Sequence, residues 1–194
     1  MSANIGRQRY MAAASYARFT EESNALDYLE KTVSFIKTAR NNPQDWKWVI
    51  LAVHGALYGF MVSTLKGTDP NNVRDATKSG KHFKLIGFAK ALEECQDSGR
   101  MAISGFTKVL QLSEKEKQAL NRIHKEFRNQ FLHYRPTLWS IEVSGFPEII
   151  GNGLDVLRAV ALEMGGYFAH YNRRYVAKLI AQAKEMLQNG SKAH

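Results

Sequence analysis

Residues 46–65 read WKWVILAVHGALYGFMVSTL. Trp46, Val49, Ile50, Val53, Leu57, Phe60, Met61 and Leu65 recur at three- and four-residue steps, the period of an α-helix. Their apolar face is wide, so this helix must be covered on most sides and is expected to be the most buried of its fold. Trp46, Trp48, His54 and Tyr58 are read as core residues of this helix, with His54 satisfied by a polar neighbour. Asn42-Pro43 supplies a start, an N-cap followed by proline at the first helical position. Gly67-Thr68-Asp69-Pro70 stops it. No uninterrupted apolar run in the chain approaches the eighteen or so residues that cross a bilayer, and no membrane association is expected.

The same helical period extends outward in both directions. Leu26, Leu29, Val33 and Ile36 mark an amphipathic helix ending near Arg40. Beyond Pro70 the polar stretch through Lys81 has no period and reads as a long loop. A third helix is expected from about Leu85 to Cys95, then an irregular segment over Gly99–Leu112. Ser113-Glu114-Lys115-Glu116 is a capping box, and Leu120, Ile123, Phe127 and Phe131 carry the helix behind it inward. Pro136 ends that helix, because the residue before proline resists the α region. Pro147 opens a last helical region after a loop at Trp139–Phe146. There Ile150, Leu154, Leu157, Ala161, Met164, Phe168, Tyr171 and Tyr175 hold one stripe, which predicts a single long helix with Gly165-Gly166 as the place for a kink. No strong strand alternation competes. The expected fold is all-α, a bundle of about five helices with largely up-and-down connections. Residues 1–22 are a basic arm, 23–189 the helical domain and 190–194 a tail.

Composition narrows the function. The 194 residues carry 27 Lys and Arg against 18 Asp and Glu, a formal +9 that favours polyanionic partners such as RNA. A basic solvated surface produces the same balance. The single Cys95 excludes an internal disulfide and a cysteine-rich zinc site, and a reducing cytoplasm is the expected setting. Arg7, Arg9 and Arg18 with no acid in the first twenty residues loosely fit a transit peptide, though a frayed arm is the preferred reading. There is no phosphate-binding loop of the Walker type and no dinucleotide fingerprint. His124-Lys125-Glu126 does not extend to a zinc-binding His-Glu-x-x-His, and neither a metal nor another cofactor is expected.

One stretch carries chemistry: Glu126-Phe127-Arg128-Asn129-Gln130-Phe131-Leu132-His133-Tyr134-Arg135-Pro136. In a continuous helix Arg128 and His133 would project about 140° apart and about 7.5 Å along the axis, while Asn129 and His133 would share a face. An imidazole and a guanidinium provide a proton-transfer group and a cation for a crowded phosphorane, half of what cleavage of RNA by its own 2′-hydroxyl requires. His133 complementing a helix C-terminus and Arg128 in a surface ion pair would use the same letters. Arg128-Asn129-x-x-x-His133, on the penultimate helix of an all-α chain, resembles the Arg-x4-His signature of the HEPN superfamily. The resemblance implies a metal-independent endoribonuclease acting as a homodimer, with two Arg–His sets lining one cleft. It implies Arg128 as stabiliser of phosphorane charge, His133 as acid or base and Asn129 as the residue positioning one of them. It also admits a non-catalytic module that binds a nucleotide, RNA or a protein partner. HEPN toxins paired with a nucleotidyltransferase antitoxin often carry tyrosine two places after the histidine. Here Tyr134 follows His133 directly and Arg135 takes that place, which departs from the pattern.

Further RNA contacts are expected from Trp139 and Arg135, and from His170, Arg173 and Arg174 in a run that interleaves aromatics with cations. Trp139 as a loop anchor, and the run as a solvated basic face, are the alternatives. Lys81, His82 and Lys84 of the long loop are further candidates to reach a phosphate.

Overall fold

The computed structural model describes residues 16–75, 84–105, 108–133, 138–164 and 172–190. Helix α1 (Glu21–Ala39) starts from a capping box in which Thr20 and Ser23 satisfy each other's backbone amides. Asn42 caps a 3₁₀ turn at Pro43–Asp45 that leads straight into α2 (Trp46–Lys66), and Gly67, at φ 53°, ends that helix. Two short helices follow, α3 (Phe88–Cys95) and α4 (Ser98–Ile103). Helix α5 (Glu114–Asn121) runs through a π-helical turn, Arg122–Phe127, into α6 (Arg128–Leu132). The capping box at Ser113 forms as expected, with the serine hydroxyl accepting from the Glu116 amide. Helix α7 (Phe146–Arg158) continues into a second π stretch, Ala159–Met164, and α8 (Arg173–Gly190) closes the chain. The result is an all-α bundle, and the single β-type contact among the described residues is a bridge between Arg74 and Leu85.

Helix α2 is the axis of this bundle. Val49, Ile50, Val53, Ala56, Leu57, Phe60, Met61 and Leu65 are all buried, with α1, α3, α6 and α7 packed around them. The segment Pro43–Lys66 is long and apolar enough to cross a membrane, but 61% of its apolar window is buried inside the bundle, as for a core helix. Close approach of α1 depends on two glycines. A Cβ on Gly59 would fall 2.7 Å from the Cβ of Ala25, and one on Gly55 would fall 2.7 Å from the ring of Tyr28.

Two expectations are corrected. Residues around Gly99 are not irregular: Asp97 accepts the Arg100 amide at 2.7 Å and nucleates α4 despite the glycine. The Arg100 guanidinium then bonds Glu94 at 2.9 Å and the Asn72 carbonyl, while Ser104 Oγ donates to the Leu65 carbonyl at 2.7 Å, tying α4 to the end of α2. The region after Pro147 is not one long helix. Helices α7 and α8 lie side by side, and Lys184 pairs with Asp155, residues that a continuous helix would hold about 43 Å apart. The apolar stripe persists because both halves face the same core, and Gly165-Gly166 lies outside the described residues. Phe168 and Tyr171 also lie outside them, and Tyr175 is exposed, with its hydroxyl bonded to Glu30 at 3.0 Å.

The glycine contact gives a direct test of this packing. Gly59→Ala should gain up to about 1 kcal/mol of helix propensity, yet lose about 1–3 kcal/mol by forcing α1 off α2. Urea unfolding should therefore show a net loss of stability, and a more stable variant would mean that α1 does not sit this close.

Candidate functional site

Helices α1 and α2 leave between them a groove of about 570 Å³, walled by Tyr28 and Phe35 on one side and Trp48 and Tyr58 on the other. Arg128 and Leu132 reach it from α6, and His54 lines it from α2. Glu21, Asp27 and Lys31 of α1 add charge, but Glu21 is already paired with Lys66. Aromatic walls with a few polar groups are the ordinary make-up of a small-ligand site.

Arg128 is brought there by the π turn. Its backbone N–H donates to the Ile123 carbonyl five residues back, so one extra residue is accommodated in the turn. Each residue of helix turns the chain by about 100°, so such an insertion re-aims everything after it. The Arg128 guanidinium is half-buried and donates to Asn129 Oδ1 at 3.0 Å. It has no carboxylate partner among the described residues, so the surface ion pair open in the sequence does not form: Glu126 pairs with Arg122 instead, at 3.1 Å.

His133 lies at the helix end. Its backbone has left the α region, at φ −109° and ψ 102°, although its N–H still donates to the Asn129 carbonyl at 2.9 Å. The imidazole is exposed and makes no hydrogen bond to a described residue. The projection expected from a continuous helix therefore stops one residue short. Arg128 and Asn129 are held together, and His133 extends from the same short helix toward solvent. Trp139 returns beside this helix, 40% exposed, with its ring 5.7 Å from that of Phe131.

The remaining expected contacts divide. Arg174 is exposed on α8, whereas Arg173 is half-buried and donates to the Leu162 carbonyl, anchoring the start of α8 rather than standing free. Arg135 and His170 lie outside the described residues, as do Lys81 and His82. Trp48 is not a core residue: it is 45% exposed at the groove, tilted against Phe35, with Lys47 Nζ 4.3 Å over its ring.

The sequence reading did not foresee a pair of imidazoles beside Arg128. Nε2 of His54 lies 3.0 Å from Nδ1 of His124, the polar neighbour that His54 was expected to find. The two rings are 8° from parallel, and each stacks on Phe88 at 4.5 Å. His124 sits on the π turn four residues before Arg128, a helical spacing that was visible, but its partner is seventy residues away. Burial, then His124 and Arg128, hold His54 down to about 3; burial, then Arg128 and Lys125, lower His124 as well. Both rings are thus kept neutral near pH 7. Among the described residues no three His, Cys, Asp or Glu side chains gather where they could hold a metal ion.

Comparison with family models, with characterised proteins and with solved structures returns no match to this chain.

The depressed histidines make stability depend on pH with a definite sign. The unfolded chain takes up protons near pH 6.5, before the folded one does, so stability is complete above that value and declines as pH falls toward about 3. The slope contributed by His54 is at most about 1.4 kcal/mol per pH unit. Urea unfolding of the wild type between pH 6.5 and 4 should therefore be steeper in pH than that of His54→Gln; parallel curves would show that the ring is not held neutral.

Proposed function

We propose that this chain is a metal-independent endoribonuclease of HEPN type that acts as a homodimer. The observation that carries the reading is Arg128: half-buried in a groove, oriented by Asn129 and without a carboxylate partner among the described residues. A guanidinium placed in that way is available to a phosphate, and its planar fork matches phosphate oxygens. The His133 imidazole, exposed at the end of the same helix, supplies proton transfer. In the reaction the 2′-hydroxyl oxygen attacks phosphorus and the bond to the 5′-oxygen breaks, leaving a 2′,3′-cyclic phosphate and a 5′-hydroxyl. Arg128 stabilises the phosphorane and His133 protonates the departing oxygen.

Pairing of two copies is supported by the groove's surroundings. Tyr28, Trp48, Leu85 and Leu132 are large apolar residues exposed around it, and Leu138 is fully exposed just beyond α6. A patch of this kind rimmed by polar groups is typical of an association surface. A role as a toxin or defence protein, a nucleotidyltransferase or other antitoxin partner, and a cytoplasmic site of action belong to the same proposal through the HEPN resemblance. The rival reading, a module that binds a nucleotide, RNA or protein without cleaving, draws on the groove's volume and aromatic walls.

Activity separates the two. Purified protein should cut RNA in the presence of EDTA and leave cyclic phosphate ends. His133→Ala should slow cutting about 100-fold or more while RNA still binds. Arg128→Ala should be comparably impaired, with Arg128→Lys recovering only part of the rate. Light scattering at micromolar concentration should give a dimer. Wild-type protein that binds RNA and never cuts it would favour the binding module.

A further inference from the structure

We propose that His54, backed by His124, is a second proton-transfer group of the Arg128 site, the pair passing a proton between groove and solvent without holding a charge. The substrate named here, RNA, rests on the endoribonuclease reading; the relay itself rests on the geometry of the two rings.

A neutral imidazole has one N–H and one bare nitrogen. With Nε2 of His54 3.0 Å from Nδ1 of His124, one proton lies between the rings. Two arrangements are then available. When His54 donates, its Nδ1 is bare and accepts from the groove, while His124 carries its other proton on Nε2. When His124 donates, His54 Nδ1 carries a proton toward the groove and His124 Nε2 is bare. His54 lines the groove, and its Nδ1 is not among the enclosed, unpaired polar atoms of the described residues. His124 is only half-buried, and its Nε2 is likewise not among the enclosed, unpaired polar atoms of the described residues. Phe88, itself buried, lies flat under both rings and holds them in one plane, the alignment that transfer along the pair requires.

Every proton is accounted for. The substrate 2′-hydroxyl gives its proton to His54 Nδ1, His54 Nε2–H passes to His124 Nδ1, and His124 Nε2–H leaves to water. The new bond is that of the 2′-oxygen to phosphorus. The reverse passage resets the pair after the product departs. No imidazolium forms, which suits the surroundings: Arg128 and Lys125 approach from the α5–α6 run and Lys31 from α1. Among the described residues Tyr58 and Asp27 are the further ionisable groups of this part of the groove, with Glu21 paired to Lys66. His54 lines the groove and can hand its own Nε2–H on to His124 as it accepts, which assigns the pair the 2′-hydroxyl and leaves the 5′-oxygen to His133. The cation and the base then line one groove, and the acid extends from the end of the helix that carries Arg128.

The test combines nitrogen NMR with cleavage assays. Ring ¹⁵N shifts of the wild type at pH 7 should show both His54 and His124 neutral; an imidazolium at either position overturns the relay. His54→Gln keeps a hydrogen bond to His124 but cannot shuttle a proton, and cleavage should fall about 100-fold with RNA affinity within about twofold. His124→Ala, at the less buried end, should lose a similar factor and recover part of it on adding imidazole, a rescue that a purely structural role would not give. If His54→Gln fails to fold, His124→Ala decides alone. Cleavage unchanged in both variants, or a loss in His124→Ala that imidazole does not restore, overturns the relay while leaving the endoribonuclease reading intact. Wild-type protein that cuts no RNA overturns that reading, and with it the 2′-hydroxyl as the proton's source.

Discussion

A helix with apolar residues around most of its circumference cannot be left against water, and covering α2 is the constraint that organises this protein. At about 25 cal/mol per Å² of apolar surface removed from water, each fully buried Leu, Ile or Phe contributes about 1.5–3 kcal/mol. α2 holds a run of such residues, while α1, α3, α6 and α7 supply the cover. The approach of α1 is tightest at Gly55 and Gly59, where the absence of side chains lets Tyr28 and Ala25 lie on the α2 backbone. The cover is incomplete on the side of Tyr28, Phe35, Trp48 and Tyr58. The groove is what remains, and His54 lines it from the helix that forms the core.

A polar ring in such a helix has to be satisfied, and the means of satisfying it connects core to site. His124 reaches His54 from the π turn, and Arg128, whose amide closes that turn on Ile123, enters the same groove four residues later. A wide turn of this kind interrupts the regular hydrogen-bond ladder and often accompanies function. Here it places a neutral imidazole pair and a guanidinium without a carboxylate partner among the described residues side by side, while Ile123 and Phe127 from the same six residues stay in the core.

The core was legible in the sequence because burial imposes a period. The capping box at Ser113, the Asn42-Pro43 start and the Gly67 stop were legible because each is a local hydrogen-bond or φ requirement. Helix α4 was obscured by Gly99, whose breaking tendency was outweighed by the Asp97 cap. The reversal between α7 and α8 was hidden because an apolar stripe reads the same whether one helix continues or two helices face one core. Arg128 and Asn129 could be singled out from spacing. The direction of Arg128 could not, since a π turn leaves no mark in residue spacing. The pairing of His54 with His124 was invisible for a different reason: it joins two helices far apart in the chain, and only their packing brings the rings together.

The central claim is that Arg128 is the phosphate-binding cation of this groove. Its most direct test is the salt dependence of binding for a short single-stranded RNA with 2′-O-methyl groups, which cannot be cut. Wild type and Arg128→Gln should differ in affinity, and the slope of log K against log salt should be smaller in the variant by about 0.7–1, the loss of one phosphate contact. Equal affinity and equal slope would mean that the guanidinium does not meet the RNA backbone, and would contradict the account.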